Sequence, residues 1–156
     1  MRKYFAFTFS FIALFLLCSC GETTAENENK TLGTTMLEVF RENSDKGVQE
    51  IASLCLENPA IEFMGGAVPA EPGALTGFDA EITGFSEGAM FAPNIGTIPF
   101  VGYVLKAEEN AAELAETLKT NANPRWNICT EAEEIICEAK GDKVFFLMCP
   151  KSLSQQ

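Results

Sequence analysis

Hydrophobic and polar positions divide the chain into segments of different period. Tyr4 to Leu17 is almost wholly apolar, broken only by Thr8 and Ser10. Residues 21–33 are small, polar and acidic, with no periodic apolar signal. Leu37, Phe40, Val48, Ile51, Ala52 and Cys55 then follow a helical stripe. Ser44 and Gly47 fall on that stripe where bulk is expected, so the pattern predicts either one helix over about 36–57 or a break near Asn43-Ser44-Asp45. Thr35 and Glu38 have the spacing of a capping box. Residues 58–78 hold four glycines and three prolines and are expected to form a long irregular connection, a surface wrap or a functional loop.

Two strands are expected over Ser86–Ala92 and Ile98–Ala107. The second is apolar on both faces, as in a central strand. Ala111, Leu114, Ala115, Leu118 and Ala122 recur at helical spacing behind Asn110 and Glu113, a second capping-box pair. Lys140-Gly141-Asp142-Lys143 reads as a two-residue hairpin turn. That turn sets Ala139 against Val144, Cys137 against Phe146 and Ile135 against Met148 on a uniformly apolar face, expected to be covered by helices. Glu138–Phe145, Ile136–Leu147 and Glu134–Cys149 fall on the other face. The predicted fold is α+β: a four-stranded, mainly antiparallel sheet with two helices on one face, in the order α, long loop, β, β, α, β, β.

The N-terminal run changes the picture from fold to address. Arg2 and Lys3 precede it, and a small residue, Ser19, closes it, as in an export signal. At about 20 apolar residues per membrane crossing the run is short for a span, and it breaks off at Cys18-Ser19-Cys20-Gly21-Glu22. Leu17, Ser19 and Cys20 stand at −3, −1 and +1 of a sequence that resembles a bacterial lipobox. Cys18 at −2 is less usual, and bulky Leu17 makes Cys18 itself a poor acceptor. The resemblance implies cleavage before Cys20 and a lipid on its sulfur, with palmitate among the added chains. The divisions expected are a signal peptide over 1–19, an acidic flexible tether over 20–33, one α+β domain over 34–151 and a tail over 152–156. Two or more acyl chains anchor a protein stably without spanning the bilayer. The expected location is the extracytoplasmic side of the cell membrane, or the outer membrane where a cell has two.

Charge and composition narrow the partners. The chain carries 11 basic and 22 acidic residues, a net charge of −11. Loss of residues 1–19 removes Arg2 and Lys3, so 9 basic against 22 acidic residues leave −13. Such acidity argues against nucleic acid, whose phosphates demand clustered Lys and Arg. It fits a solvated surface, or affinity for basic peptides or divalent cations. The sequence has no histidine, which removes Ser-His and Cys-His pairs and His-based zinc sites. There is no C-x-x-C, P-loop, G-x-S-x-G elbow, EF-hand loop or S-x-x-K. No cofactor or metal is expected.

Lipidation of Cys20 leaves Cys55, Cys129, Cys137 and Cys149, and an exported location permits disulfides. The hairpin register sets Cys137 and Cys149 on opposite faces, which disfavours that bridge. Cys55–Cys137 with Cys129–Cys149 is the expected oxidised form; buried free thiols are the alternative. Trp126 is expected to pack over the sheet end or to stack on a ligand, with Arg125 beside it for an anion. Phe63 heads a tract that reads as a groove lip or as core cover. No carboxylate pair stands out; Glu108-Glu109 and Glu133-Glu134 are merely adjacent.

From about Leu75 to Met148 the chain resembles uncharacterised small lipoproteins of Gram-positive bacteria. The resemblance rests on Gly77-Phe78-Asp79, the strand Gly102-Tyr103-Val104-Leu105-Lys106, the helix to Leu118, and Gly141-Asp142-Lys143-Val144-Phe145-Phe146-Leu147. It implies a lipobox, a polar tether and one small α+β domain of unknown function. Lipidation, a short tether, one small domain and the lack of a recognisable catalytic set predict a non-catalytic binding or protein-interaction module of the cell envelope, its partners being the membrane, through Cys20, and an envelope protein or ligand. A carboxylate-dependent envelope hydrolase or transferase is the alternative.

Overall fold

The computed structural model describes residues 30–58, 61, 65–93, 100–127 and 131–151. It is an α+β fold whose five-stranded sheet is antiparallel throughout. The elements are α1 (Leu32–Glu42), α2 (Val48–Leu56), β1 (Gly65–Pro69), β2 (Phe85–Pro93), β3 (Val101–Ala107), α3 (Ala111–Asn121), β4 (Glu134–Lys140) and β5 (Lys143–Cys149). The strand order is β1-β2-β3-β5-β4, so β3 is central, in accord with its two apolar faces.

The apolar stripe over 36–57 is two helices, the second of the two alternatives. α1 ends at Asn43, whose side chain donates to the Val39 carbonyl at 2.8 Å, and Gly47 opens α2. The first cap lies one turn earlier than expected. Thr31 and Thr34 form the capping box in place of Thr35 and Glu38. Thr31–Thr34 and Thr35–Glu38 share the spacing, and burial of Leu32 and Gly33 goes with the earlier pair. The last residues assigned to the tether over 20–33 are therefore part of the domain. Asn110 caps α3 as expected, accepting from the backbone N–H groups of Ala112 and Glu113.

Every predicted pair of the hairpin is present, from Glu134–Cys149 to Ala139–Val144. Two expectations about the sheet are corrected. First, it has five strands, because β1 forms inside the Gly- and Pro-rich stretch expected to be irregular. Gly65 permits this: a Cβ there would lie 2.5 Å from Leu56 Cδ2 of α2. Second, helices cover both faces. α1 and α2 pack with Phe91, Phe100, Val104, Phe145, Leu147 and Cys149. α3 and the irregular segment 70–84 pack on the opposite face with Val101, Tyr103, Leu105, Phe146 and Met148. The physical reason is the double apolarity of β3 and β5. A sheet with two apolar faces must bury both.

The segment 70–84 is held over the second face by specific bonds. The Tyr103 hydroxyl donates to the Thr76 carbonyl at 2.8 Å and accepts from the Thr76 N–H at 3.0 Å. Beside it, Asn123 N–H donates to the Gly77 carbonyl and Asp79 N–H to the Asn121 carbonyl, which ties the segment to the end of α3. Gly77 has a φ of +94°, a backbone conformation L side chains rarely adopt, so glycine suits this crossing. Burial pushes the Tyr103 phenol above its ordinary pKa, and the bonds to Thr76 offset part of that.

Candidate functional site

A chain of hydrogen bonds ties together the place where β5 ends, β4 begins and α1 starts. Leu32 N–H donates to the Lys151 carbonyl at 3.1 Å, and Lys151 N–H donates to Glu133 Oε2 at 2.8 Å. Glu133 N–H donates in turn to the Cys149 carbonyl at 3.1 Å. Glu134 lies opposite Cys149 on the face covered by α1. Its Oε2 is buried with no hydrogen-bond partner among the described residues. Gly33 makes the approach possible: a Cβ there would meet Ile136 Cδ1 at 2.3 Å, Glu134 Oε2 at 3.0 Å and Cys149 Sγ at 3.2 Å.

This arrangement keeps the thiol protonated. Burial pushes Cys149 up to about 12; Glu134 and Glu133 add to the shift, and a bond from the Gly33 backbone opposes it. Cys55, whose thiol donates to the Met36 carbonyl, is also pushed up to about 12 by burial. Cys137 is pushed up to about 12 by burial, partly relieved by Lys119, and its thiol donates to the Ala115 carbonyl. At pH 8 a thiol with such a pKa is ionised to about one part in ten thousand, and only the thiolate is nucleophilic. Cys55 and Cys149 are expected to resist a thiol-modifying reagent until the domain unfolds, with half-buried Cys137 reacting sooner. Mass-mapped labelling with and without urea checks this; rapid native labelling of Cys55 would refute it.

The expected Cys55–Cys137 bridge is corrected. Cys55 and Cys137 are free and belong to cores on opposite faces of the sheet. The error follows from placing all helices on one face. The separation of Cys137 from Cys149 is as the register predicts, and Cys149 is also a free thiol. Cys129, Cys20 and Phe63 lie outside the described residues, so the Cys129–Cys149 pairing and the groove lip fall outside them too.

Trp126 and Arg125 diverge. Trp126 is half-buried against the second core, its ring 3.8 Å from where a Cβ on Gly77 would stand. Arg125 is exposed and ion-paired with Glu131 at 2.9 Å, so an anion beside Trp126 would have to displace that carboxylate. Arg41 holds Glu138 below the ordinary carboxylate range through a direct hydrogen bond, and Lys143 does the same for Asp142. Both carboxyls are thus held ionised, the reverse of what a general acid needs. Glu108 and Glu109 are exposed beyond β3. Among the described residues no three metal-ligating side chains come together, and no helix is long and apolar enough to cross a membrane.

The residues that sequence reasoning missed are Gly33 and the Tyr103–Thr76 clasp. A buried phenol in an apolar strand needs a partner, and that need was the only signal for the clasp. Gly33 carried no signal, because a glycine before a helix reads equally as tether. Comparisons with protein-family models, with curated proteins and with solved structures find no match.

Proposed function

We propose that the chain is a lipid-anchored extracytoplasmic interaction module without catalysis of its own. One observation carries the reading: Leu17-Ser19-Cys20 is followed so closely by the domain. α1 starts at Leu32, twelve residues after Cys20. Even fully extended, that connection reaches no more than about 40 Å. A lipid on Cys20 would hold the α1 end of the domain close to the bilayer and leave the far end, with Glu108 and Glu109, facing outward. The buried, protonated thiols support a binding role over a nucleophilic one.

The anchoring is tested by growth with a clickable palmitate analogue. The wild-type chain and Cys18→Ser are expected to carry the label and fractionate with membranes. Cys20→Ser is expected to lose the label entirely. An N-terminus that begins at Met1 with no lipid on either cysteine would refute the proposal. Affinity capture from membranes with the lipidated chain tests the interaction role. Recovery of no envelope protein or ligand, where comparable lipoproteins recover theirs, counts against it.

A further inference from the structure

The two outer strands of the sheet are built differently. β1 is five residues long, opens with Gly65-Gly66 and closes with Pro69, which has no N–H to offer. Natural sheets blunt their edges in this way. β4 is not blunted. Its seven residues, Glu134 to Lys140, contain no Gly or Pro and pair with β5 without a register shift. Among the described residues no strand pairs with its outer side. Among the described residues Ile135 and Val68 are the exposed large hydrophobic residues, at 43 and 45%, and one lies on each edge strand.

The hairpin turn fixes which backbone groups β4 presents. In a two-residue hairpin the flanking pair, Lys140 and Lys143, exchanges hydrogen bonds, and bonded pairs then alternate. Glu134, Ile136, Glu138 and Lys140 therefore point their backbone groups at β5. Ile135, Cys137 and Ala139 point theirs outward. The same phase is confirmed from the other side of β5, where Ala107 N–H donates to the Asp142 carbonyl.

We propose that two copies of this chain associate through the outer side of β4, antiparallel about a two-fold axis at Cys137, to give one continuous ten-stranded sheet. The strand is self-complementary in that register. Ile135 stands opposite Ala139 of the second copy, so both outward-pointing residues exchange backbone bonds and the exposed isoleucine is covered. Glu134, half-exposed with one carboxylate oxygen under α1, stands opposite Lys140 of the second copy, twice by symmetry, and the exposed Lys140 would exchange its bond to the Arg41 carbonyl for that pair. Sliding one strand by a single residue sets outward groups against inward ones. Sliding it by two residues sets glutamates together, either Glu134 against Glu138 or Glu138 against its own copy. Charge thus selects the centred register. The border itself is nearly balanced despite the acidity of the whole chain, since Glu138 is paired with Arg41 and Glu116 with Lys119.

Sedimentation equilibrium of the full chain in density-matched detergent, at about 0.15 M salt, tests the inference. The wild type is expected to dimerise. Lys140→Glu turns two attractive pairs into repulsive ones and is expected to weaken association about tenfold or more. Adding Glu134→Gln, which keeps the volume under α1, removes that repulsion and is expected to recover part of the lost affinity. Ile135→Pro removes only an outward N–H, so it should abolish the dimer and leave the circular-dichroism spectrum of the fold intact. A wild type that stays monomeric at about 100 μM overturns the proposal. So does a dimer indifferent to charge reversal, which would signify association through another surface or a shared micelle. The dimer stands or falls without reference to Cys20, so its failure would leave the anchoring proposal untouched.

Discussion

Phe145→Ala is expected to destabilise the domain by about 3–5 kcal/mol. Phe145 lies on β5 between β3 and β4, opposite Val104 and Glu138, and is fully buried. Its ring stacks on Phe40 of α1 at 5.5 Å between centroids and on Phe91 of β2 at 5.9 Å. The one side chain thus joins the first helix to a strand two places away in the sheet. Truncation removes the transfer energy of the ring and leaves a cavity that neither neighbour can fill, because Phe40 is held on a helix and Phe91 on a strand. A domain of this size holds about 5–15 kcal/mol in all, so the loss takes a large share of it. Urea unfolding at neutral pH measures the effect, with an unchanged slope as the sign that the unfolded state is the same. Phe145→Leu, which keeps most of the volume, should cost much less. A loss below about 1 kcal/mol for the alanine variant would mean that the layers collapse onto each other and that the aromatic triad is not the link it looks to be.

The same ring shows what could be read from the sequence and what could not. The turn at Gly141-Asp142 and the alternation of its two flanks are independent signals, and they agree on a register in which Phe145 faces Glu138. Two signals that coincide leave no freedom, and the whole hairpin was legible for that reason. α3 was legible because its cap and its apolar spacing coincide as well. The identity of the layer above Phe145 was not legible. Periodicity marks a face as apolar but does not say which helix lies on it, and the chain order permits one-sided or two-sided cover. The pairing of Cys55 with Cys137 inherited that ambiguity. β1 was hidden for a local reason: glycine and proline lower strand propensity, yet Gly65 is what allows the chain to pass close under α2. The Glu133–Glu134–Cys149 corner was visible only as adjacent acids and a cysteine. Its geometry depends on Gly33, and close approach through a missing Cβ leaves no trace in a hydrophobic pattern.

Close approach through a missing Cβ also underlies the second large effect, expected for Gly102. Gly102 sits in the middle of β3, opposite Phe91 on one side and Leu147 on the other. A Cβ at this position would stand 2.1 Å from Phe91 Cζ and 2.4 and 2.6 Å from its Cε2 and Cε1. The ring of Phe91 therefore lies across the bare glycine. Two opposing effects decide the outcome. Glycine in a strand ordinarily costs about 0.5–1 kcal/mol relative to alanine, so substitution taken alone would stabilise. Against that, the ring has nowhere to retreat, since Phe100 lies 6.4 Å from its centroid and Phe145 5.9 Å. Overpacking of a well-filled core costs about 1–3 kcal/mol or more, so the clash wins. Gly102→Ala should be destabilising, and Gly102→Val should exceed about 3 kcal/mol despite the strand preference of valine. Phe91→Leu supplies the control. Shortening the ring alone costs stability, yet combined with Gly102→Ala it makes room for the new methyl, so the double variant should be more stable than the sum of the two losses by about 1–2 kcal/mol. Simple additivity of the two substitutions would show that some neighbour other than Phe91 demands glycine here. A neutral Gly102→Ala would show that the ring is free to swing away, and the packing of β2 over β3 would then be looser than the distances imply.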